Sequence, residues 1–144
     1  MLVYVALNQP SPQYRLAADY LSKILDFSLD GLERQKLNLF IGNCYFLNDD
    51  FEVAAEFYMA ALSEEGLWYK ETKGQLWFRL VTAKTRANLL SEDLIESVEK
   101  AFMAKEIPFD TYLKIQWNIA LHYRKSGKYN EAVTLISNAW DRFN

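Results

Sequence analysis

From Tyr14 onward the apolar residues return every three or four positions through almost the whole chain. That interval is the period of an α-helix with one buried face, and it leaves little room for any other element. Tyr14, Ala17, Ala18, Leu21, Ile24 and Leu25 predict a helix over about 12–27, entered at Ser11-Pro12 by a capping hydroxyl and a proline at the first helical position. Leu37, Phe40, Ile41, Cys44 and Tyr45 predict a second over about 32–47, after a turn at Ser28 to Gly31. Asn48-Asp49-Asp50 breaks it, and Val53, Ala54, Phe57, Tyr58, Ala61 and Leu62 mark a third over about 51–63. A fourth covers about 71–89 on Leu76, Phe78, Leu80, Val81 and Leu90, with Gly74 weakening its first turn. Ser91 followed by Glu92-Asp93 starts the fifth, which stops near Lys105 ahead of Pro108. Asp110 is expected to cap a sixth over about 111–125, closed by Ser126-Gly127-Lys128 with Gly127 left-handed. The seventh runs from about Asn130 to the end. Leu2 to Leu7 is the one strand candidate, and it is short.

Five glycines and three prolines in 144 residues suit long helices and short turns, since both residues interrupt regular structure. A net charge of −3 is a poor match to nucleic acid. Cys44 is the only cysteine, so no intramolecular disulfide can form and a reducing compartment is natural. No run approaches the roughly 18 apolar residues that cross a bilayer. Leu2 to Leu7 lacks the basic flank and cleavage site of a signal peptide. The expectation is a cytoplasmic protein of one domain, 1–144, with neither nucleic acid nor membrane as partner.

So many helices with short connections call for a repeat search. Counting from Gln35, one stretch reads Ile41, Gly42, Tyr45, Phe51, Ala54, Tyr58, Ala61 and Leu62. Counting from Leu113, Ile119, Ala120, Tyr123, Tyr129, Ala132, Ile136, Ala139 and Trp140 stand at the same mutual spacing. Small residues at Gly42, Ala54, Ala120 and Ala132 would let paired helices nest closely. Large ones at Tyr45 and Tyr123 would fill the space beside them.

Both stretches resemble tetratricopeptide repeats. The departures are Asn38 and Gln116 where the family often has a large aromatic, and Gly66 where it usually has proline. Gly42 and Ala120 also lie further apart than two units of about 34 residues would put them. The resemblance implies an all-α, right-handed array of antiparallel helical hairpins, an α-solenoid of about seven helices. It would comprise a cap helix (11–34), a repeat (35–68), an irregular repeat (71–105) and a final repeat (111–144). In the middle unit Thr82 would take the place of Gly42, with Thr85, Leu94, Val98, Ala101 and Phe102 following in register.

The family binds its partners along the inner wall made by the first helix of each hairpin. Carried over residue by residue, that wall is Lys36, Leu39, Asn43, Phe46 and Leu47, then Leu76, Arg79, Ala83, Arg86 and Ala87, then Lys114, Trp117, Leu121, Arg124 and Lys125. Leu39, Asn43, Phe46, Arg79, Arg86, Lys114, Trp117, Leu121 and Arg124 are the leading candidates. The resemblance implies an apolar and aromatic groove with a basic half, suited to another protein or peptide with apolar anchors and acidic residues. The bland alternative is that Leu39, Phe46 and Trp117 pack inside while the cations form a solvated face. Leu39 and Asn118 stand where a carboxylate-clamping member would have lysine and arginine, so no clamp of that type is expected. Trp140 and Phe143 leave an apolar end on the last helix, for a second copy or a partner to cover, unless Trp140 folds back onto Tyr123 and Ile119.

Chemistry is not expected. Cys44 and His122 would lie two hairpins apart, roughly 16–20 Å at the usual helix spacing, far beyond the reach of a nucleophile and base. One histidine and one cysteine cannot make a four-ligand zinc site. The pairs Asp49-Asp50, Glu64-Glu65 and Glu92-Asp93 belong to helix ends. No metal or cofactor is implied. The reading is a protein-interaction module, adaptor or chaperone-like, similar in size and repeat type to small chaperones of bacterial secretion systems. The alternatives are a peptide-sensing regulator or a structural subunit of a larger complex.

Overall fold

The computed structural model of the chain describes residues 2–8, 13–27, 30–64 and 70–143, with the side chains of Leu2, Lys70, Glu71 and Phe143 outside that description. The expected helix start at Ser11-Pro12, the turn residue Ser28, Gly66 and the side chain of Phe143 therefore fall outside the described residues. Those described form eight α-helices and no strand. The chain divides into two compact units, Met1–Trp68 and Tyr69–Asn144.

The first unit holds α1 (Leu2–Leu7), α2 (Tyr14–Ile24), α3 (Gly31–Leu47) and α4 (Phe51–Ser63). Each packs on the next. Leu2 to Leu7, the strand candidate, is a helix. It puts Ala6 into a cluster with Ala17, Ala18, Ile41 and Cys44, and the Gln13 N–H donates to the Ala6 carbonyl at 2.9 Å. An alternating strand would have had no sheet to join. Phe40, expected on the buried face of α3, is 45% exposed, because Gly42, Ile41, Asn38 and Cys44 take the face turned to the core. Where α3 meets α4, a Cβ on Gly42 would stand 2.7 Å from Tyr58 Cε1 and 3.3 Å from the Ala54 carbonyl. Only hydrogen fits there. Gln35, buried at the start of α3, donates to the Glu64 carbonyl, and Arg34 pairs with the Glu64 carboxylate at 3.1 Å.

The second unit holds α5 (Lys70–Arg86), α6 (Glu92–Met103), α7 (Phe109–Lys125) and α8 (Tyr129–Phe143). Helix α7 packs against both α5 and α8, while α6 reaches the same core through Val98 and Ala101. Tyr112, Ile115 and Ile119 are the centre of that core. Gly74 lies inside α5, buried, where a Cβ would meet Pro108 Cδ at 2.8 Å. Asp110 does not cap α7. The helix begins at Phe109 on the extended backbone of Pro108, and Asp110 sits in the first turn, where its charge still favours the positive helix end.

One device closes four of the helices. Asp49, Asn88, Lys105 and Gly127 have φ between 58° and 79°, and the next N–H reaches back five residues: Asp50 to Tyr45, Leu89 to Lys84, Glu106 to Ala101 and Lys128 to Tyr123. A left-handed residue followed by this long bond satisfies carbonyls that the last turn leaves open. At the other end of α6 the Ser91 hydroxyl accepts from the Leu94 N–H at 3.2 Å. Ser91→Ala should lower stability by about 1 kcal/mol in urea titrations, and Ser91→Asp should restore most of it.

Candidate functional site

Helix α7 turns one stripe outward from the core of the second unit: Lys114, Trp117, Asn118, Leu121, His122 and Lys125, at intervals of three, four and seven. The stripe is about 16 Å long. Three concavities open along it: Asn118 borders two, and Lys114 also lines a third with Gln75, Phe78 and Asp110.

The first has a volume of about 420 Å³. Its walls are Phe78 of α5, Leu113 and Trp117 of α7, and Ile136, Ala139 and Trp140 of α8, with Lys114 as the one charged lining residue. Trp117 is 56% exposed and Trp140 63%, unusually open for the largest apolar side chains. Ala139 is buried beneath them, so a small residue makes the hollow that the two indoles border.

The second concavity, about 400 Å³, is polar: Thr82, Thr85 and Arg86 of α5 face Asn118, Leu121, His122 and Lys125 of α7. Asn118 Nδ2 donates to Thr82 Oγ1 at 3.0 Å, and Thr82 in turn donates to the Phe78 carbonyl at 2.8 Å. This bond ties α5 to α7 at the point where the apolar hollow gives way to the polar one. Arg86 and Lys125 stand in the last turns of their helices. Each helix C-terminus carries about −0.5 charge, which favours cations at these two positions. No acidic residue lines it.

The structure thus brings Arg86, Lys114, Trp117, Leu121 and Trp140 to one surface. Arg79 and Arg124 are exposed but line none of these hollows. Leu76 and Ala83, expected on the inner wall, are wholly buried, because α5 turns that face into the core. Leu39, Asn43 and Phe46 belong to the first unit. There Asn43 accepts from the Tyr58 hydroxyl at 2.8 Å, Phe46 packs its ring edge to face with Phe51 at 5.1 Å, and Leu39 is half-buried. Phe78, Leu113, Ile136 and Asn118 border the surface without having been singled out for it. Phe78 and Ile136 fit apolar core periodicity equally well, and only the packing of α5 and α8 around α7 shows their open sides.

On the opposite face of α7, Glu99 of α6 gathers three donors. It accepts from the Tyr112 hydroxyl and from Gln116 Nε2, and pairs with Arg142 of α8 at 2.7 Å. The Tyr112 ring stacks on Phe102 at 4.0 Å, with the Arg142 guanidinium near both rings. Burial, then the bond to Glu99, pushes the Tyr112 phenol well above its usual range. The cluster is far too occupied internally to serve as an open acid or base.

Cys44 is buried in the first unit and burial pushes its thiol up, while His122 lies in the second. Among the described residues no group of three or more His, Cys, Asp or Glu side chains converges. No described helix is long and apolar enough to cross a membrane.

No protein-family model matches the sequence, and no curated protein matches it.

Proposed function

We propose that this protein is an interaction module built of tetratricopeptide-like helical hairpins, and that it works by holding a segment of another protein on α7 and α8. The hairpin reading draws on α3 and α4, whose contacts run in opposite senses: Gln35 meets Glu64 and Asn43 meets Tyr58. It draws also on the equal spacing of small residues in the stretches from Gln35 and Leu113, and on the absence of space at Gly42 for any side chain.

The observation that carries the functional reading is the pair of open indoles, Trp117 and Trp140, bordering one apolar hollow. Exposed aromatics around a pocket are the usual anchors of a protein interface. The neighbouring hollow, lined by basic and by no acidic residues, would add selectivity for acidic residues, since complementary charge steers encounter and rejects wrong partners. Adaptor and chaperone-like roles both follow from such a surface, and the single buried cysteine is compatible with a reducing compartment such as the cytoplasm.

The test is selection from a displayed peptide library against the intact protein. Selected sequences should combine apolar anchors with carboxylates. Trp117→Ala with Trp140→Ala should weaken them at least tenfold, about 1.4 kcal/mol, while helicity by circular dichroism stays unchanged. Full affinity in the double variant would remove this surface from the function.

A further inference from the structure

We infer that the segment held on this surface is an amphipathic α-helix with carboxylates along the flank that faces α7. The inference rests on the interaction reading above and specifies the partner's form. Its basis is the outer side of α8. Tyr129, Val133, Ile136 and Trp140 follow one another at steps of four, three and four. Tyr129, Val133 and Trp140 are 64%, 65% and 63% exposed, and Ile136 is half-buried. Leu135 and Ala139, on the neighbouring face, already serve the core. So α8 carries a second apolar seam, largely exposed, beside the one that serves the core.

The alternation of three and four is the signature of a helix lying alongside another helix, because it keeps one line of side chains facing the partner over successive turns. An extended chain, rising about 3.3 Å per residue, offers side chains on alternate sides and cannot match that line. The seam spans about 16 Å, three turns. Ile136 and Trp140 pass directly into the hollow bordered by Trp117, so a guest helix has a seam and an anchoring pocket in register.

Charge then separates a foreign helix from a second copy of this chain. Lys114 lines the hollow and makes no ion pair among the described residues. The guest should therefore carry carboxylates next to its seam. On α8 itself, at about 100° per residue, Glu131 lies on the side opposite the seam and Asp141 roughly a third of a turn from it. Asn130 and Ser137, closest to the seam on that side, are neutral. A second copy of α8 would bring no carboxylate to Lys114.

The probe is a synthetic peptide of about 16 residues with leucines at alternating three- and four-residue steps and glutamates along one flank, added to the intact protein and followed by tryptophan fluorescence. It should bind. A version with two central prolines should bind at least tenfold more weakly. A version with lysines on the flank should also lose at least fivefold, and Lys114→Glu should reverse that preference. Equal binding of the proline version would overturn the helical form while leaving the interaction reading standing. So would library-selected peptides that bind here only when extended. Dimerisation in light scattering that Val133→Glu abolishes would overturn it in favour of a second copy. If neither helical nor library peptides bind, the inference and the interaction reading fall together.

Discussion

Replacing Gly42 by valine should cost the first unit about 3 kcal/mol. The added Cβ would sit 2.7 Å from a ring carbon of Tyr58, which is wholly buried and tied by its hydroxyl to Asn43 at 2.8 Å, so the ring has nowhere to swing. The other neighbour, the Ala54 carbonyl at 3.3 Å, is backbone of α4 and moves only if the helices separate. Glycine inside a helix is itself unfavourable by about 1 kcal/mol against alanine. Gly42→Ala therefore recovers that propensity and should be milder than valine. Urea unfolding followed by circular dichroism will separate the two. A valine variant as stable as the parent would mean that α3 and α4 do not approach at Gly42 as described.

Glu99→Ala should remove about 2–3 kcal/mol from the second unit, the next largest effect. Most of that loss comes from Tyr112 and Gln116. Both are almost wholly buried, and both would keep a donor with no acceptor. Gln116 already has a buried carbonyl oxygen without a partner, so it has little capacity to rearrange. Arg142 contributes less. Its side chain is 37% exposed, water screens the pair, and Arg142→Ala should cost only about 1 kcal/mol or less. Thermal unfolding of the two variants should preserve that order. If Arg142→Ala proves the more damaging, the cluster is held by its ion pair and not by its buried hydrogen bonds.

Periodicity read along the chain was enough for helices α2 to α8, because each has one apolar face and a local stop. The stops at Asp49 and Gly127 were visible as turn-forming residues. The stop near Lys105 was visible only through Pro108 downstream, since nothing in a lysine marks it for a left-handed position, and the turn at Asn88 was not read although asparagine favours that conformation. The failure at Leu2 to Leu7 has another cause. Six apolar residues in a row have no period, so only their docking against Ala17 and Ala18 decides between helix and strand. At the surface, Trp117 was legible through the groove positions that the resemblance implies and Trp140 as an apolar end of the last helix, but not their meeting at one hollow. The Glu99 cluster was not, because Tyr112 and Arg142 come to it from different helices and no interval within one helix links them. Nor was the fate of Leu76 and Ala83, which depends on how far α5 is rotated about its own axis.

The shared closure at Asp49, Asn88, Lys105 and Gly127 has a kinetic consequence. Each reversal of the chain is written into a handful of neighbouring residues, so the ends of helices can be set before any distant part of the molecule arrives. Loops this short have little entropy to lose on closing. A molecule whose reversals are decided locally should refold within milliseconds, at the fast end of the range for chains of its size.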